Sequence, residues 1–590
     1  MFLTATIFFV AVHAFSLSLT IRYPTNGTVI ASGGYSIEVS EGGVSGALRY
    51  VEFFVNGIMV GRATNEPFLV TINNPVPGHY RLTAHAFDTG SFQAEAPPVY
   101  LRVGNPTLRV ARGPYLQSAS STNMILRWRT DWFADAVVRY ATNASSLDGG
   151  LTNSNATIDH EMNLTGLQAD TLYFYSIGTA TNTFVSGSNF SFRTAPTNAR
   201  PVRIWVVGDS GTADTNAASV RDSYYTVTGA QATDLFLMLG DNAYESGTDG
   251  EYQRAMFDMY RDLLQRTPVW PTIGNHEAGD ALGVYGTQAK PYLEMFTLPR
   301  NGECGGLASG TEHYYSFDFA NIHFVCLDSY LSDRANSAPM CSWLRNDLAN
   351  TDKDWIIAYW HHPPYSFSGH HSDQEFFGIE MRQFAGPILE EYGVDLVLSG
   401  HNHDYERSFL IDGHYGFSWE LQSSMVLNAG FGRPGDDGAY RKPAGGMGAH
   451  GGTIYTICGC SGQGGSGDTD IPRHPVMALT RGGFGSMIIE INGLRLDAQF
   501  LRPSMAVDDY FTIDKSLPTT NQPPMHIVRS TNGAVISWPT SQPAFELESA
   551  AAIPATNWQS ISEPVSTIGR RNVVAIEMIG PKRFFQLRSP

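Results

Sequence analysis

Apolar and polar positions alternate in short runs along the first hundred residues. In the stretch YVEFFVNGIMVGRA two such runs flank Asn56-Gly57. That pair accepts the backbone of a tight primed turn, so the pattern predicts a hairpin. HYRLTAHAFD places Leu82, Ala84 and Ala86 on one face, the period-two signature of a half-buried strand. Residues 18–105 are therefore expected to form a small β-sandwich, and residues 106–196 continue as a second β module. Between 197 and 512 the pattern changes to short continuous apolar runs alternating with helical stretches. One of these, DGEYQRAMFDMYRDLLQ, sets Tyr252, Met256, Met259, Tyr260 and Leu263 at helical spacing. The alternation predicts a layered α/β domain with site loops at its strand ends. The proline-bearing stretch TTNQPPM reads as a linker, and AVISWPT, FELESA, VVAIEM and RFFQLRSP predict a small C-terminal β module over 526–590. The fold class expected is multidomain: N-terminal β-sandwich modules, a central α/β sandwich and a small C-terminal β module.

A net charge of −18 over 590 residues, with no basic block, excludes a nucleic-acid-binding surface and disfavours anionic membranes as partners. Any anion site must then make its positive charge locally, which a metal would do. The leader MFLTATIFFVAVHAFS carries an apolar run from Phe2 to Val12 and a small-residue cleavage pattern at Val12-His13-Ala14. Residues 1–17 are predicted to be a signal peptide, implying a secreted, periplasmic or cell-surface protein, although no Lys or Arg precedes Arg22. The run is too short for a membrane span, and no other stretch looks transmembrane. Of the five cysteines, Cys326 ends an apolar run and is expected to be a buried thiol. Cys304 with Cys341 is a candidate bridge, and no CxxC pair suggests zinc.

Five apolar runs in the central region end in polar residues. IWVVGDSG ends at Asp209, LFLMLGDNAY carries Asp241 and Tyr244, and VWPTIGNHE carries Asn275 and His276. WIIAYWHHPPY carries His361 and His362, and DLVLSGHNHDYER carries His401 and His403. Gly-Asp alone is usually a turn, and it recurs at Gly435-Asp436 and elsewhere without a preceding strand. The ordered set of five, each after a predicted strand, points to a site at strand ends.

This set resembles the calcineurin-like metallophosphoesterase superfamily and, within it, the purple acid phosphatase family. RGPYLQ at Arg112–Gln117 resembles the opening of that family's N-terminal domain. LTGLQADTLYFYSIG resembles the tyrosine corner of fibronectin type III domains, with Leu167 and Tyr173 in matching positions. Residues 18–105 resemble Ig-like modules, and the C-terminal segment resembles a module recurring in secreted bacterial proteins. Relatives outside the purple branch usually read Asp-x-His after the first strand. Here Asp209-Ser210-Gly211 stands there, and Tyr244 enters at the second motif.

The resemblance implies a binuclear metal centre. Asp209, Asp241, Tyr244 and His403 would hold Fe(III), whose charge suits carboxylates and a phenolate. The shared Asp241, with Asn275, His361 and His401, would hold a divalent ion: zinc, manganese or ferrous iron. His276, His370 and His371 match the positions of substrate-facing histidines, with an exposed-loop reading as the alternative for the last two. The implied activity is that of a secreted acid phosphatase, which hydrolyses small phosphate monoesters by attack of a metal-bound hydroxide. The alternatives are a phosphodiesterase or nucleotide-pyrophosphate hydrolase with the same centre, and a surface-binding protein with a decayed phosphatase core.

Overall fold

The computed structural model describes residues 18–42, 48–88, 92–229, 232–278, 289–443, 448–464, 473–516, 525–530, 533–539, 546–551, 557–568, 571–577 and 583–588. The leader at 1–17 and most of the linker at 519–525 lie outside the described residues.

The N-terminal module has two sheets. One joins Ser18–Tyr23, Tyr35–Gly42 and Leu69–Ile72, and the other is built around Gly78–Phe87. The hairpin forms as its sequence predicts: Tyr50–Val55 pairs with Ile58–Ala63 across Asn56 at φ 51° and Gly57 at φ 79°. Val51, Phe53, Leu82, Ala84 and Ala86 are buried in the core between the sheets.

In the second module six strands join through the long, bulged Met124–Ala141, which pairs to three others. The tyrosine corner is present, since the backbone N–H of Gln168 donates to Tyr173 Oη at 3.0 Å. This sheet docks on the central domain. Tyr115 Oη donates to the carbonyl of Met295 at 2.8 Å, and the buried Arg112 donates to Gln253 at 2.8 Å.

The central domain holds two seven-stranded sheets. In one, Val202–Val207, Leu235–Met238 and Val269–Pro271 run parallel. In the other, Ile322–Cys326, Trp355–Trp360, Leu396–Ser399 and Ile454–Cys458 run parallel. These strands are almost entirely buried, which explains why they read as continuous apolar runs rather than alternating ones. Val206, Leu237 and Ile489 of one sheet share a single core with Phe324, Ile357 and Leu398 of the other, so the sheets face each other as a sandwich.

The helix predicted after Asp249 is interrupted. It is α-helical over Asp249–Tyr252, widens to a π-type turn over Gln253–Asp258, and resumes over Arg261–Leu264. Tyr252, Met256, Tyr260 and Leu263 are buried as the spacing implied, and Met259 is half-buried. All five cysteines are free buried thiols, so Cys304 and Cys341 do not form the bridge the sequence allowed. The C-terminal module is two small sheets around their own core of Ile536, Trp538, Leu547, Val574, Ile576 and Leu587. Among the described residues, no helix is long and apolar enough to cross a membrane.

Candidate metal centre

Polar segments that follow five parallel strands meet at one end of the sandwich. Three of the residues they present adopt left-handed backbone: Asp209 at φ 53°, Asp241 at φ 51° and His401 at φ 69°. Such conformations are costly for residues other than glycine and persist where the surroundings impose them, often at functional sites. Glycines let the turns close together. A Cβ on Gly274 would lie 2.2 Å from Asp241 Oδ1, and one on Gly400 would lie 2.5 Å from Asp209 Oδ2.

The seven side chains singled out as ligands form one connected set. Tyr244 Oη lies 3.1 Å from both Asp209 Oδ1 and Asp241 Oδ2. His403 Nε2 lies 3.5 Å from Asp209 Oδ1. On the other side, Asp241 Oδ2 lies 3.4 Å from His361 Nε2, which is 3.0 Å from Asn275 Oδ1, itself 3.1 Å from His401 Nδ1. Asp241 Oδ2 is therefore the atom common to an oxygen-rich half and a nitrogen-rich half. Donor atoms of Asp209, Asp241 and His361 all fall within 4.8 Å of one another.

Hydrogen bonds fix which nitrogen each histidine offers. His361 Nδ1 is 2.8 Å from the carbonyl of Leu239, so Nδ1 carries the proton and Nε2 faces the site. His401 Nε2 is 3.1 Å from Glu375 Oε1, which leaves Nδ1 facing inward. Burial holds His401 below the usual histidine range, so its Nδ1 lone pair meets the carbonyl oxygen of Asn275. Two acceptors at that distance suit a cation between them. Burial and then the charges of Asp209 and Asp241 push the Tyr244 phenol well above its ordinary value. Burial opposes ionisation of Asp241, but His361, by its charge and its hydrogen bond, outweighs it and holds the carboxyl below the usual range. The donor set fits a pair of metal ions.

The outer histidines separate. His276 lies with its ring edge-on to Tyr244, 4.5 Å between centroids, and its Nδ1 is 2.8 Å from the carbonyl of Glu245. His370 lies with its ring tilted against that of His401, 3.9 Å between centroids, and meets Glu375 Oε1 through Nδ1 at 2.8 Å. His371 is turned away, stacked on Phe367 at 4.1 Å, with Nδ1 accepting from the backbone of Asp373. His362, beside His361, is buried and bonds to Ser329 Oγ at 2.9 Å.

Two carboxylates of the site escaped the sequence reading. Glu277 accepts four backbone N–H bonds, from Asp241, Asn242, Ala243 and Gly274, at 2.6–3.2 Å. It ties the Asp241 turn to the Asn275 turn. Glu375 is the acceptor shared by His370 and His401. Their signals were position alone: Glu277 lies two residues after Asn275, and Glu375 four after His371.

Comparison with known proteins agrees with this geometry. Residues 202–405 match the calcineurin-like phosphoesterase family, and residues 112–194 match the purple acid phosphatase N-terminal domain. The chain is similar to purple acid phosphatases over this part of its length. Purple acid phosphatase 15 of Arabidopsis thaliana is 32% identical over 292 residues, 44% of this chain and 51% of the relative. Purple acid phosphatase 22 of the same plant is 29% identical over 46% of this chain and 61% of its own length. The chain thus spans between half and two thirds of these curated relatives. A purple acid phosphatase from yellow lupin (Lupinus luteus) seeds superposes with a TM-score of 0.56 at 14% identity, covering 86% of this chain and all of the lupin chain. That likeness shows the shared fold. Purple acid phosphatases imply a binuclear metal centre, and the connected donor set is where this chain would hold one.

Proposed function

We propose that this chain is a secreted phosphatase that hydrolyses phosphate monoesters at a binuclear centre. Asp209, Asp241, Tyr244 and His403 would hold Fe(III), and Asp241, Asn275, His361 and His401 a divalent ion such as zinc, manganese or ferrous iron. The observation that carries this reading is Asp241 Oδ2, placed against Tyr244 on one side and His361 on the other. When bound, the metal pair would supply positive charge for the phosphate oxygens and acidify a water nucleophile. The residues of the chain do the rest. Glu375 and the carbonyl of Leu239 orient two imidazoles. His276 and His370 stand at the rim, each with Nδ1 engaged, so that Nε2 is left to hold a proton or bind a phosphate oxygen. His371, turned onto Phe367, has a weaker claim to that role. Secretion is supported by the apolar leader.

Replacement of Asp241 by Asn tests the reading. Loss of at least one metal together with loss of phosphomonoesterase activity is expected. Two retained metals with near-normal turnover would refute the shared-ligand assignment. Rates on a monoester and its matching diester, measured on the same preparation, establish the preferred substrate class.

A further inference from the structure

A cleft of about 360 Å³ lies between the N-terminal β module and the segment that follows Tyr244. Phe54, Arg81 and Phe87 of the module form one wall, and Glu245, Ser246 and Arg254 of the central domain form the other. Its size suits a small organic ligand. One lining residue, Glu245, directly follows Tyr244 of the candidate metal centre. The carbonyl of Glu245 meets His276 Nδ1 at 2.8 Å, and its carboxylate lies 3.9 Å from the same nitrogen.

The walls are fixed rather than merely adjacent. Buried Asp249 pairs with Arg81 of the first module at 2.9 Å, and with Arg112 and Arg129 of the second at 3.1 and 2.8 Å. One carboxylate thus joins three domains five residues after Tyr244. Most charged groups in the cleft are already engaged. Glu52 pairs with Arg62, Glu95 lies 3.7 Å from His85, and Glu251 accepts the N–H groups of Glu245, Ser246 and Thr248. Arg254 is different. It is exposed and has no hydrogen-bond or ion-pair partner among the described residues. Its guanidinium stands between the module's Asn56-Gly57 turn and Gly250. In a chain of net charge −18, this is an unpaired cation in an aromatic-walled cleft beside the site.

We infer that this cleft receives the leaving group of the substrate, an alcohol with an apolar body and a second anionic substituent that Arg254 binds. The inference rests on the proposed phosphatase reading and adds a substrate class to it. The phosphate would lie at the metal centre, and the rest of the ester would pass His276 and Glu245 into the cleft. Phe54 and Phe87 would cover its apolar part. The N-terminal module then becomes part of the substrate site rather than a spacer.

Phenyl phosphate and 4-carboxyphenyl phosphate differ only in the anionic substituent and test this directly. In the metal-loaded full-length protein, KM for the carboxylated ester is expected to be lower by about fivefold or more, the size of a partly desolvated charged hydrogen bond. Arg254→Ala should bring the two KM values together, and Arg254→Lys should keep part of the preference. Equal KM values in the wild type, or a preference that survives Arg254→Ala, would overturn the inference. If neither ester is turned over, the phosphatase reading fails. Calorimetric binding of the same two compounds to wild type and Arg254→Ala then decides the cleft by the same ratio.

Discussion

His401 Nε2 and His370 Nδ1 converge on one atom, Glu375 Oε1, at 3.1 and 2.8 Å. The contact leaves Nδ1 of His401 facing inward and would raise its basicity if it binds a metal. Such carboxylate–histidine contacts typically change metal affinity 10–100-fold. Glu375→Ala is expected to lower affinity by roughly that factor, read by chelator competition, with the fold intact by circular dichroism. Glu375→Gln, which can still accept a hydrogen bond, should fall between.

The strand-end polar residues proposed as ligands were legible in the sequence because each follows a buried strand, and burial on both faces writes a continuous apolar run ending in a polar residue. Tyr244 was legible through its offset from Asp241. Glu277 and Glu375 were not, since backbone N–H groups and the imidazole of a residue 26 positions away define their roles. The π-type widening at Gln253–Asp258 was also hidden, because the apolar spacing fits an unbroken helix as well. The cleft depends on how the first module packs against the central domain, which local periodicity does not encode.

Glu277 has all four of its acceptor positions filled by backbone N–H donors. In Glu277→Gln an amide N–H₂ would face two of those donors, leaving buried groups unpaired. A stability loss of roughly 2–4 kcal/mol is expected by denaturant unfolding, together with weaker metal retention. An unchanged midpoint with unchanged metal content would show that the two turns hold themselves.

His323 sits buried between Asp318 and Asp347, each 2.8 Å away. Burial disfavours its charge, but Asp347 and then Asp318 overcome this and raise its pKa to about 9. A raised value means the folded state binds the proton more tightly. The stabilisation, about 3 kcal/mol, is therefore complete below the unfolded value near 6.5 and is lost as pH rises through about 9. Thermal unfolding of wild type and His323→Gln should differ most near pH 6 and converge above pH ~9.5. A constant difference across that range would contradict an ion-paired imidazolium.

The outer histidines are expected to rank by geometry. His276→Ala and His370→Ala should keep both metals and lower kcat ~10²-fold, as for a lost proton donor. His371→Ala, whose ring lies on Phe367, should cost much less. Equal losses for His370 and His371 would mean that the loop rearranges when substrate binds.

Tyr244 carries the central claim, since its oxygen is held 3.1 Å from both Asp209 and Asp241 where a ferric ion would take it as phenolate. Phenolate ligation gives a visible charge-transfer band that carboxylate and imidazole ligands do not. The decisive measurement is the visible spectrum of the oxidised protein with its iron content established by metal analysis, beside the same spectrum of Tyr244→Phe. A purple to pink band in the wild type that vanishes in Tyr244→Phe, with iron and fold retained, is the expected result. An iron-loaded, oxidised wild type with no visible band, or a band that survives Tyr244→Phe, would contradict the account.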